Sequence, residues 1–160
     1  MKQFKIVPLS EEYADKIRET NIDHYGHTVT EQIATGKGPC RVSLKPFEVG
    51  KDVRLLFSHS PFEIDNAYDQ PGPIFIHKEK AEAYKDIHRF PPEIKADKKS
   101  FTITLIGYSK DQQMNYNKLL ADHEDIDLVI PQIFGKHPEV EYLHARSAKA
   151  CCFICKIERV

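Results

Sequence analysis

A chain of 160 residues is long enough to bury a core without disulfide or metal staples. With 41% hydrophobic and 29% charged residues it has the profile of a folded domain, not of a disordered chain. The 23 basic and 24 acidic residues leave a net charge of -1, so the basic footprint needed to hold a phosphate backbone is missing and nucleic acid is not an expected partner.

The opening MKQFKIVPLS carries too short an apolar run for a signal peptide, and no segment approaches the ~20 apolar residues of a membrane helix. A cytoplasmic location with no membrane partner is expected, and the four cysteines are expected to be free thiols. FKIVPL reads as a short strand with Phe4 and Ile6 on one face. Ser10 can cap a following helix over EEYADKIRET, whose Glu11 and Glu12 suit its positive N-terminal end. The stretch from Asn21 to Pro39 reads as loop, with a short ordered piece around Val29 to Ile33.

VRLLFSHSPF is a strand with Val53, Leu55 and Phe57 on one face, and PIFIH is a second strand after a turn-rich segment. KEKAEAYKDIHRF has Ala81, Tyr84 and His88 at helical spacing, which predicts a helix ending before Pro91 and Pro92. FTITLIGY alternates strictly, and a weaker partner runs from Met114 to Leu120. Ile126, Val129, Ile130, Ile133 and Phe134 predict a helix, with Pro131 as a kink or part of a tight first turn. VEYLHARS and CCFICKIERV form a closing hairpin. Strands in short-linked pairs favour an α+β fold: a single domain over residues 1–160, mainly antiparallel sheet, with two or three helices packed on it. One antiparallel sheet is expected to contain Val53 to Ser58, Phe101 to Gly107, Glu141 to Ala145 and Cys152 to Ile157.

Several residues carry chemistry. Cys152 and Cys155 make a C-x-x-C, but no second pair exists for a zinc ribbon. On a regular strand Cys151 and Cys155 face one way and Cys152 the other, so Cys151 and Cys155 read as buried small hydrophobes. His24 and His27 flank Gly26, a poor helical metal pair, although Asp23 is placed to orient the His24 imidazole. No metal and no cofactor is expected. Ser58-His59-Ser60 is not a catalytic pair, because neighbours on a strand point to opposite faces.

Cys40 leaves a Gly-Lys-Gly-Pro turn, with Arg41 and Lys37 as nearby positive charge that favours thiolate. The opposing reading, a cysteine filling the core where the loop enters the sheet, stands beside it. Tyr142, His144 and Arg146 alternate onto one strand face. They form either a solvated face or the floor of a pocket for an anion, with Arg146 as the forked donor.

Taken in order and spacing, FKIVPLSEEYADKIR, GPCRVSLKPFEVGKDVRLLFSHSPF, GPIFIH and VEYLHARSAKACCFICKIER resemble domain-of-unknown-function family 1203, small bacterial proteins of no established activity. The distinctive pieces are Pro39, Cys40, Arg41 and Leu44, then Cys152 with Phe153, and His144. The resemblance implies a second cysteine in many members where Ser43 stands, and a glycine where Cys151 stands. It adds weight to Cys40, Arg41 and Cys152.

The expected function is therefore binding of, or action on, a small anionic molecule at a Cys/Arg/His site. Cys40 is the catalytic candidate. Arg41, His144, Arg146, Cys152 and His24 are the ligand-binding candidates, with His144 on the strand next to a shared neighbourhood of Cys40, Cys152 and Arg41. The alternative is a non-catalytic module that binds a ligand or a protein partner and whose cysteines are structural.

Overall fold

The computed structural model of the chain describes residues 3–160. Eleven elements follow in order: β1 (Phe4–Val7), α1 (Glu11–Thr20), β2 (Thr30–Ile33), β3 (Val53–His59), β4 (Gly72–His77), α2 (Pro92–Ala96), β5 (Ile103–Tyr108), β6 (Met114–Leu119), α3 (Ile126–Lys136), β7 (Tyr142–Ser147) and β8 (Phe153–Arg159). The α+β class with few helices is as expected. The strands divide into two antiparallel sheets, a five-stranded one in the order β1-β8-β7-β5-β6 and a three-stranded one in the order β2-β3-β4. The single sheet expected to hold 53–58 together with the later strands is thus corrected. Among the described residues β3 pairs only with β2 and β4, its sequence neighbours on either side.

Each sheet has its own core. On the five-stranded sheet, Phe4, Ile6, Ile103, Leu105, Leu143, Ala145, Cys155 and Ile157 pack under Val129, Ile130, Ile133 and Phe134 of α3. Asp125 caps α3, accepting from the Asp127 N–H at 2.9 Å, and Pro131 lies inside the helix. On the three-stranded sheet, Ala14 and Ile17 of α1 meet Leu55, Phe57, Ile74 and Ile76. Ser10 Oγ accepts from the Tyr13 N–H at 3.1 Å, the predicted cap.

The helix predicted over 78–90 does not form. Its backbone is taken by neighbours: the Tyr84 N–H donates to Val42 O, and Ile87 O accepts from the Ile6 N–H at 2.7 Å. Tyr84 and Ile87 pack on the larger core, Ala83 on the smaller. Prolines 91 and 92 start a helix here instead of ending one, with Pro92 in the first turn of α2, where no N–H is needed.

Residues 40–44 stitch the two cores together. Cys40 and Val42 belong to the smaller core and Leu44 to the larger. The Leu9 N–H donates to Arg41 O, and the Arg41 N–H to Phe75 O at 3.0 Å. The reversal that carries Cys40 and Arg41 is therefore clamped between β1's exit and β4.

Candidate functional site

Cys40 enters the reversal from a backbone that only glycine permits. Gly38 has φ +89°, and a Cβ there would fall 2.4 Å from Cδ2 of Phe47. The Phe47 ring lies against the His77 imidazole, with centroids 4.7 Å apart. The Gly-Lys-Gly-Pro turn thus seats Cys40 beside a histidine that sequence reasoning did not single out.

His77 ends β4 and Asp52 immediately precedes β3. The antiparallel register Arg54↔His77 places them together, with His77 Nε2 3.5 Å from Asp52 Oδ2. Asp52 Oδ2 also accepts from the Glu48 N–H at 2.6 Å, and that bond, with the imidazole, holds the carboxyl below its usual range. His77 Nδ1 is buried and has no well-aligned hydrogen-bond partner, so thiol and ring are coupled by proximity and charge, not by a tight bond. Burial pushes the Cys40 thiol up, but the His77 imidazole and Ser43 outweigh it and bring the thiol down to about 6. The thiol in turn raises His77. Cys40 is nevertheless 0% exposed.

Arg41 is 3% exposed, and its Nε donates to Phe153 O at 2.7 Å while its Nη1 donates to Pro39 O. No carboxylate pairs with it among the described residues. Burial lowers its pKa to about 10, against the opposing influence of the Cys152, Cys40 and Cys155 sulfurs. The neighbourhood expected for Cys40, Arg41 and Cys152 is therefore present around this guanidinium. Cys155 lies in the core, where burial pushes its thiol up to about 12.

Cys152 and Arg146 wall a cavity of about 180 Å³ together with His59, Gln70 and Phe153. Arg146 Nη1 donates to Cys151 O at 2.9 Å, and no carboxylate pairs with Arg146 among the described residues. Cys151 is exposed in the turn at φ 61°, not buried beside Cys155 as the alternation suggested. A bulge between Ala145 and Arg146 breaks that alternation: Ile154, Cys155 and Ile157 all enter the core. The left-handed backbone at 151 is one that favours glycine, the residue the family resemblance implies there.

His144 is not beside Cys40. It stands on the opposite face of the five-stranded sheet from α3, 0% exposed, enclosed by rings of Tyr108 at 4.8 Å, Phe62 at 4.9 Å, Phe153 at 5.1 Å and Tyr142 at 5.3 Å. The solvated-face reading of this strand is thus overturned. Neither nitrogen of His144 has a hydrogen-bond partner among the described residues. A buried polar group left unpaired costs ~1–3 kcal/mol. Burial, with Arg146 and Lys156, takes its pKa to about 3, so the ring is neutral near pH 7. His59, set aside as a catalytic pair with its neighbouring serines, is pushed down to about 4 by burial and Arg41. Neither imidazole supplies positive charge to an anion.

His24 lies elsewhere, on a cavity of about 260 Å³ with Tyr25, Asp65 and Asp69, joined to the Cys152 cavity only through His59. Asp23 does not orient it. Its carboxylate accepts from the N–H groups of Tyr25, His27 and Ser58 and pairs with the His27 ring at 3.1 Å. Burial works against the Asp23 charge, but these donors keep its pKa low. Among the described residues no group of three or more His, Cys, Asp or Glu is arranged to hold a metal ion.

His77 and Asp52 went unnoticed, and His59 was set aside, because their partners come from pairing, not from local spacing. The one local sign was a histidine closing the apolar run of β4. An α+β protein of two antiparallel sheets, with a buried arginine among thiols at their seam, is the class these features define. The family model described as Protein of unknown function (DUF1203) matches residues 37–159, and the chain belongs to that family. No curated protein and no solved structure matches the chain.

Proposed function

We propose that the protein binds a small anionic molecule in the cleft bordered by Arg146 and Cys152, with Arg41 behind it supplying positive potential. The observation that carries this reading is a pair of arginines, one of them buried, that no carboxylate neutralises among the described residues. A buried cation without an acid is costly, and an incoming anion offsets that cost. Neutral His59 leaves the pocket polar without adding charge, and no carboxylate among the described residues lines it. On this reading Cys40, held as thiolate by His77 and Ser43, is the group for any chemistry on the bound molecule.

Thermal unfolding with added inorganic phosphate or acetate tests it. Either anion should raise Tm in wild type, and Arg146→Gln should abolish the rise. A Tm that no small anion moves overturns the reading.

The second reading is a non-catalytic binding module. It is favoured by the full enclosure of Cys40. Wild type and Cys40→Ser together separate the two: a ligand that wild type binds but leaves chemically unchanged leaves binding alone, whereas a chemical change in wild type that Cys40→Ser abolishes without losing binding favours the first reading.

A further inference from the structure

The connection between β3 and β4 spans residues 60–71, and it borders four separate cavities. Two of them share Gln70 and Arg146, two share Phe62, and His59 joins one of each pair. They are compartments of one cleft that this segment crosses. Its hydrogen bonds are internal among the described residues: Ser60 Oγ with Asp69 Oδ1 at 2.5 Å, the Tyr68 N–H to Asn66 Oδ1 at 2.8 Å, and the Asp69 N–H to Asn66 O. None reaches the five-stranded sheet. The aromatic contacts to the sheet come from two rings, Phe62 on Tyr108 and His144, and Tyr68 on Tyr108.

Under Phe62 lies His144, fully buried with both nitrogens unpartnered. A histidine placed only to fill an aromatic core would be better replaced by phenylalanine, which has no polar atoms to orphan. Its nitrogens are explained if a polar ligand takes the place of the Phe62 ring. His144 and Arg146 stand two residues apart on one face of β7, ~7 Å along the strand. That separation fits one ring bearing an acid at one end and a polar group at the other.

We propose that residues 60–71 are a lid over a site for a monocyclic aromatic acid, whose ring takes the place of the Phe62 ring against Tyr108, whose polar substituent hydrogen-bonds His144, and whose acid group pairs with Arg146. The proposal rests on the anion-binding reading above and names its ligand class. Tyr108 is backed by Tyr142, stacked on it 5.4 Å away at 22°, and already meets the Phe62 ring edge to face at 5.1 Å, an aromatic position that a ligand ring can take over. Opening parts the Phe62 and Tyr68 ring contacts, and no hydrogen bond to the five-stranded sheet among the described residues has to break.

Calorimetric titration with para-hydroxybenzoate, benzoate and acetate tests this, with His144→Phe, Arg146→Gln and Phe62→Ala as variants. Wild type should bind para-hydroxybenzoate about tenfold tighter than benzoate, and benzoate tighter than acetate. His144→Phe should remain folded, keep benzoate binding and lose the preference for the hydroxyl. Phe62→Ala, which removes the ring whose place the ligand takes, should bind para-hydroxybenzoate tighter than wild type. Should acetate bind as well as either aromatic acid, or should His144→Phe keep the full preference, the aromatic-acid site is wrong while the anion reading survives. Absence of binding by all three acids and by inorganic phosphate removes both.

Discussion

Asp52 Oδ2 lies 3.5 Å from His77 Nε2, leaving the buried Nδ1 of the same ring for Cys40. An acid, an imidazole and a thiol thus stand in sequence, though they come from a loop end, a strand end and a turn. The thiol at about 6, against an ordinary 9.0, follows from the nearness of that imidazole together with Ser43, which outweigh burial.

The first prediction concerns stability against pH. Between about pH 6 and 9 the unfolded chain keeps a thiol proton that the folded chain has lost, so the Cys40 contribution makes stability rise with pH, by up to ~1.4 kcal/mol per pH unit. His77, raised above its ordinary 6.5, acts oppositely: its contribution is full below that value and is lost as pH climbs through its folded value. The net rise therefore shows in the upper part of the window. Urea midpoints of wild type and Cys40→Ser at several pH values should diverge towards pH 9. A gap that stays flat across the window contradicts the thiolate.

The second prediction concerns thiol reactivity. Exposed Cys151 should alkylate first, and Cys155, buried and pushed up to about 12, should stay silent in the native state. Cys40 should label through transient opening, with a rate that levels off above about pH 6, because most of it is already thiolate there. Mass mapping of the iodoacetamide adducts reads this directly. Failure of Cys40 to label until denaturant is added removes it as a reactive group and leaves the binding module.

The third concerns His144. Replacing it by Phe removes two orphaned polar atoms from an aromatic cage while conserving a ring, so the variant should be more stable by ~1–3 kcal/mol. Burial holds His144 near about 3 and His59 near about 4, both below the ordinary 6.5. Below pH 6.5 the unfolded chain therefore binds protons that the folded chain refuses, and wild type loses stability as pH falls. His144→Phe should shed part of that acid sensitivity. A variant that melts lower than wild type at pH 7 would mean that the imidazole is satisfied in a way the geometry does not show.

The fourth concerns the turn. Gly38→Ala places a Cβ 2.4 Å from the Phe47 ring on a left-handed backbone, so it should destabilise by ~1–3 kcal/mol and loosen the ring that packs on His77. Denaturant unfolding checks the first effect. Loss of the Cys40 pH plateau in the alkylation series checks the second.

Strand identity was legible because alternation is local. FTITLIGY and VRLLFSH show their buried faces residue by residue, and both form strands. The Ser10 cap and the stripe from Ile126 to Phe134 likewise announce α1 and α3 through neighbours within one or two turns. The α+β class and the weight on Cys40, Arg41 and Cys152 follow from such local signs and from a resemblance in chain order. Tertiary structure alone decided the rest. Helical spacing over 78–90 lost to backbone hydrogen bonds offered by Val42 and Ile6, which no window on that segment contains. Cys40, Asp52 and His77 meet only because β3 and β4 pair with Arg54 opposite His77. His144 is dry because Phe62, from a connection more than seventy residues away in the chain, lies over it. Local propensity depends on neighbours a few bonds apart, whereas the electrostatics of a site depend on which distant groups share a low-dielectric interior, and that is set by sheet register and burial.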